Sequence, residues 1–166
     1  AAAALVAAFF VAARPGSTLD RKAVALTAHA IEESVAGVPC GYQDQLAAVF
    51  AGASLWHWVA LPRPEVYRRE VVMPPARLAG LAPHLLVAYA GVTHASSDVN
   101  GRWVRQFVEG RRRAEWAEIV ACTRRFAEAL RHGRWDEAGE LMRRETDLRR
   151  RMTPGVLEPV GRRLAA

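Results

Sequence analysis

A chain of 166 residues with 51% hydrophobic and 24% charged side chains can bury roughly two thirds of its unfolded surface, and its composition excludes intrinsic disorder. The net charge of +6 is almost entirely arginine, Lys22 being the only lysine, which invites a nucleic-acid reading. The distribution argues otherwise: residues 1–60 hold Arg14, Arg21 and Lys22 against Asp20, Glu32, Glu33 and Asp44, so this part is slightly acidic.

The opening run AAAALVAAFFVAA is shorter than the ~20 apolar residues of a bilayer span and lacks a basic leader. A buried helix is expected, with no membrane partner. ARPGSTLD ends it, and Ser17, Thr18 and Asp20 are good helix starters. The next helix is predicted over 19–36, with Leu19, Ala23, Leu26, Ala30 and Val35 on its apolar stripe and Gly37 as its stop. Glu32 and Glu33 fall in its last turn, where the helix dipole disfavours carboxylates. A compensating positive group is expected, and a bound cation is one candidate. The turn GVPCGYQDQ then leads into a short helix over 44–50 that begins at Asp44.

SLWHWVA and VYRREVVM are rich in aromatic and β-branched residues and read as strands, separated by the Pro62 and Pro64 linker. MPPARLAGLAP reads as a connector and HLLVAYAG as a buried strand. The Pro74–Pro75 join is the expected lobe boundary, giving regions 1–75 and 76–166. Helices are predicted over 97–109, 112–131 and 134–151, punctuated by Gly110 and Gly133. Trp116, Ile119, Val120, Phe126 and Leu130 recur at helical spacing as core. TPG at 153–155 ends the third of these helices, and a last short one closes the chain. The fold class is therefore α+β, helix-rich with a few strands.

The arginine groups at 111–113, 143–144 and 149–151 are expected to form a solvated face paired with glutamates such as Glu115, Glu140 and Glu145, so no nucleic-acid partner is expected. Cys40 and Cys122 stand far apart without metal-ligand spacing and read as free thiols in a reducing compartment.

Chemistry concentrates in IEESVAGVPCGYQDQ, where Asp44 follows Glu32 by twelve residues. A chain reversal at 38–41 would turn both carboxylates toward one small cleft. Phosphoryl transfer to an alcohol needs a cation held by oxygens and a group that orients or deprotonates the attacking hydroxyl. Glu32 could serve the first need and Asp44 the second. Spacing alone favours the blander arrangement, in which the glutamates are solvated and Asp44 caps a helix.

The segment IEESVAGVPCGYQDQLAAVFAGASLW closely resembles its equivalent in the GHMP small-molecule kinases, especially galactokinases and the heptose- and fucose-kinase branch. There a glutamate five residues before a glycine is followed by x-P-x-G-x-x-D-Q, matched by Glu32, Gly37, Pro39, Gly41, Asp44 and Gln45. LLVAYAGVTHASSDVNGRWVRQF resembles the strand and substrate-side loop of the family's C-terminal lobe. RRETDLRRRMTPGV resembles its late helix and the turn that follows. The resemblance spans nearly the whole chain.

It implies a two-lobed, cytoplasmic kinase that uses ATP and Mg2+ to phosphorylate a sugar or sugar phosphate, with the anomeric hydroxyl favoured. By the same resemblance Asp44 is the catalytic aspartate and Glu32 assists the magnesium ion. Gly41, Tyr42 and Gln43 lie beside the substrate, and the loop with Thr93, His94, Ser96, Ser97 and Asn100 forms a wall of the sugar pocket. The family's phosphate loop would precede Ala4 and its second glycine-rich motif has no counterpart before GRRLAA, so nucleotide-binding residues are not assigned. The alternative is a degenerate or truncated lobe with a binding or regulatory role and no ATP turnover.

Overall fold

The computed structural model describes residues 2–35, 41–58, 67–88 and 97–154. The chain divides into two compact units, Ala1–Glu70 and Val71–Ala166, a division that falls a few residues before the Pro74–Pro75 join. Helices and a two-stranded sheet make the fold α+β.

In the first unit, helix α1 spans Ala2–Ala13, α2 Arg21–Ser34 and α3 Gln43–Val49. Asp20 starts α2: its carboxylate accepts a hydrogen bond from the Ala23 amide at 3.0 Å, satisfying one of the free N–H groups at the helix start. Ala3 and Val6 of α1 bury against Val24 and Ala28 of α2, with Phe10, Leu19 and Val49 packed around them. Alanine at these contacts permits close approach of the helices. The expectation that α1 is buried holds for one face alone, since Leu5, Phe9 and Val11 are 61%, 66% and 55% exposed. A helix that is apolar all round carries no periodic signal for the face that packs. The stripe read for α2 is also displaced: Val24, Ala25, Ala28 and His29 are buried, whereas Ala30 and Val35 are exposed. The packed face is thus rotated from the predicted stripe, in a helix whose many alanines give little periodic signal for the face that packs.

Strands β1, Ala53–Trp58, and β2, Tyr67–Met73, form the sheet. Arg69 fixes their register: its guanidinium donates to Ser54 Oγ at 2.9 Å and to the Ala51 carbonyl at 3.0 Å, and lies 4.7 Å from the Phe50 ring centre. His57 Nε2 and Glu70 Oε2 meet at 2.8 Å across the strands. The strand expected over 84–91 does not form in its described part. Ala82–His84 is a 3-10 turn, and Leu85, Leu86 and Val87 are exposed without a ladder. An apolar run becomes a buried strand only when strands pair beside it, and the sheet among the described residues has two strands, neither paired with this run.

In the second unit, 3-10 turns at Pro75–Gly80 and Ala82–His84 precede α4, Ser97–Val108, α5, Arg113–Arg131, and α6, Trp135–Met152. Gly133 adopts φ +66° between α5 and α6, a left-handed conformation that glycine takes without steric cost. Ile119, Cys122 and Leu130 of α5 and Leu141, Leu148 and Met152 of α6 are buried. Val120, read as core, is 47% exposed, because it lies beside the 119–122–126–130 row rather than on it. Trp103 of α4 donates its indole N–H to Thr153 Oγ1 at 2.7 Å and meets Trp116 edge to face. The Arg149 guanidinium lies 5.0 and 5.6 Å from the two ring centres. The expected ion pairs with Glu115, Glu140 and Glu145 are present, from Arg112, Arg143 and Arg149. The short helix expected after 155 lies outside the described residues. No helix among the described residues is long and apolar enough to cross a membrane.

Candidate functional site

Leu46, fully buried, anchors α3 in the first unit. With Leu46 turned inward, the preceding residue Gln45 is drawn in as well and is only 4% exposed. Its Nε2 donates to Glu32 Oε2 in the last turn of α2 at 2.5 Å. A second link runs beside the first: the Tyr42 ring stacks on buried His29 of α2, with centres 4.0 Å apart and planes at 28°. Tyr42 is followed at 6.4 Å by Trp58, which ends β1 with half its surface open.

Glu32, Tyr42 and Gln45 thus come together where α2 ends and α3 begins. Asp44 sits in the first turn of α3, where unpaired backbone N–H groups favour a carboxylate. Its side chain is exposed and makes no hydrogen bond or ion pair among the described residues. Gly41 and Gln43 are exposed beside it. A methyl group added at Gly41 would meet the end of the Gln43 side chain, a flexible neighbour that can swing away. Asn100 lies in the first turn of α4, half-buried, in the second unit. Thr93, His94 and Ser96 lie outside the described residues, as do Gly37, Pro39 and Cys40.

The carboxylates at the end of α2 have protein partners: Glu32 takes the Gln45 amide, and Glu33 Oε2 stands 3.8 Å from His29 Nδ1. What lacks a partner among the described residues is Gln45 Oε1, which is buried without a hydrogen bond there. Exchanging the amide oxygen and nitrogen does not help, because the oxygen would then face the Glu32 carboxylate. The pair therefore offers two oxygens to something positive or hydrogen-bond donating. No group of three or more His, Cys, Asp or Glu side chains that could hold a metal occurs among the described residues. A magnesium ion that keeps waters and phosphate oxygens as most of its ligands needs only one or two protein oxygens, and the Glu32 carboxylate is of the type that could supply one.

Three neighbours were not singled out by the sequence. Gln45 matched the motif without an assigned role, and only its place next to an inward-facing leucine hinted at burial. His29 was hidden in an alanine-rich helix, and Trp58 read simply as strand. A cleft of about 180 Å³ in the second unit, lined by Cys122, Phe126, Leu141, Met142, Glu145 and Thr146 among others, contains none of these residues.

The chain matches no family model, no curated protein and no solved structure.

Proposed function

We propose that the chain is an ATP-dependent GHMP-type kinase that phosphorylates a sugar or sugar-phosphate hydroxyl in the cytoplasm, with residues 1–75 and 76–166 belonging to its two lobes. The observation that carries this reading is the Gln45–Glu32 hydrogen bond. It joins the glutamate and the Asp-Gln pair of the motif at one end of a helix pair. In the proposed phosphotransferase one carboxylate, Glu32, would hold the cation and another, Asp44, would activate the acceptor.

In this mechanism Asp44 orients the acceptor hydroxyl and takes its proton as the oxygen attacks the γ-phosphorus of ATP, whose bond to the bridging oxygen breaks to release ADP. Its exposed carboxylate is free to accept that hydrogen bond. Glu32, with Gln45 beside it, would hold magnesium, which when bound offsets negative charge on the ATP phosphates. Trp58, half exposed and 6.4 Å from the Tyr42 ring, offers an aromatic face suited to the C–H face of a sugar ring, and Gly41 leaves its backbone open to the substrate. The resemblance also assigns His94, Ser96 and Asn100 to sugar binding.

Replacement of Asp44 by Asn preserves shape and hydrogen bonding while removing the base. Loss of a general base typically costs about 10²–10⁴ in rate, so Asp44→Asn is expected to lower sugar phosphorylation by that factor without weakening sugar binding. Unchanged phosphorylation by the variant would overturn the assignment.

A further inference from the structure

The amide of Gln45 is satisfied on one side only. Its nitrogen is committed to Glu32, while its oxygen is buried with no donor among the described residues, in a residue only 4% exposed. Leaving a buried acceptor unmet is costly, so such an atom calls for an occupant in the working protein. The neighbouring Glu32 carboxylate narrows the choice, since its charge repels an anion and favours a hard cation or a water bound to one. Gln45 also restricts how Glu32 can turn, because the hydrogen bond spans two helices and its donor is locked by the packing of Leu46.

We propose that Gln45 is the positioning residue of a divalent-cation site: it orients the Glu32 carboxylate through Nε2 and presents Oε1 to the cation or to a water on it. This rests on the kinase reading for the purpose of the cation, but cation binding itself can be measured without turnover. Partners that orient a metal ligand typically contribute 10–100-fold to affinity when removed.

The test is a titration of the full chain with Mn2+, followed by the spin-resonance signal of the free ion, in wild type, Gln45→Met, Glu32→Gln and the double variant. Met keeps the volume and the buried stem of Gln45 and lacks the amide. Gln45→Met is expected to weaken Mn2+ binding about 10–100-fold and to have little further effect once Glu32 is Gln. Thermal melts of the same samples identify the folded fraction, and if Gln45→Met does not fold, Gln45→Leu replaces it in the same cycle. Folded Gln45 variants that bind Mn2+ as wild type does would assign the residue a merely structural role and overturn the proposal. Failure of wild type to bind Mn2+ would overturn both this site and the metal role of Glu32. A chain that binds Mn2+ in this pattern yet phosphorylates no sugar would leave the site standing and remove the kinase reading.

Discussion

Tyr67 shows how a single side chain reports on its surroundings. Its phenol is pushed above its ordinary value of 10.0 chiefly by burial, with the Asp20 carboxylate adding to the rise and Arg69 opposing it. The folded state therefore holds this proton more tightly than the unfolded chain. Stability from this source is whole below about pH 10 and is lost as the pH rises toward and through the folded value. Tyr67→Phe removes the titration but keeps the ring over which the Lys22 ammonium sits at 5.8 Å. In urea unfolding across the alkaline range, the stability difference between wild type and Tyr67→Phe should shift against wild type as pH rises. A difference independent of pH would show that Tyr67 ionises alike in both states. At this same scale the candidate site was partly legible. Glu32 and Asp44 stood out through spacing and resemblance, whereas Gln45, His29 and Trp58 acquire meaning only from which neighbour each touches, and residue order does not specify that.

Among the elements, α3 has seven residues, too short to be stable alone, and owes its place to packing. Leu46 is its fully buried anchor, and truncation of such a side chain typically costs about 2–5 kcal/mol. Leu46→Ala should therefore lower the urea midpoint of the protein and loosen the Gln45–Glu32 contact, so that Mn2+ affinity falls together with stability. Loss of stability alone, at unchanged Mn2+ affinity of the folded fraction, would show that the contact does not depend on this anchor. The long helices were legible because their signals are local: α5 and α6 end and begin around Gly133, and α2 begins at the Asp20 cap. The run after His84 was misread because strand formation depends on remote pairing partners. The buried face of α2 was displaced because alanines occur all round this helix and give little periodic signal for the face that packs.

For the molecule as a whole, the two units carry different signatures. The first concentrates aromatic stacking, buried polar contacts and the candidate site. The second is built on α5 and α6 and laced with arginine–carboxylate pairs, among them Arg144–Glu118 and Arg125–Glu137 between the helices. Arg134 and Arg125 hold the Glu137 carboxylate, and Arg112 that of Glu115, below the ordinary carboxylate range. These groups are solvent-exposed, and exposed pairs contribute little each. Their lowered values favour the folded state above the ordinary carboxylate range and lose that contribution as pH falls through the folded values. The fold class was readable from the alternation of helical and strand patterns, while the α1 face that packs, the missing ladder at 85–88 and the partners of Glu32 are set by tertiary contacts.

The most direct measurement is ADP release by the full protein with ATP and Mg2+, recorded with and without each member of a panel of hexoses, heptoses and their phosphates. The kinase reading predicts that at least one sugar raises ADP release well above the sugar-free rate, with stoichiometric formation of the phosphorylated sugar. Release that no sugar stimulates, from folded protein that still binds Mn2+, would contradict it.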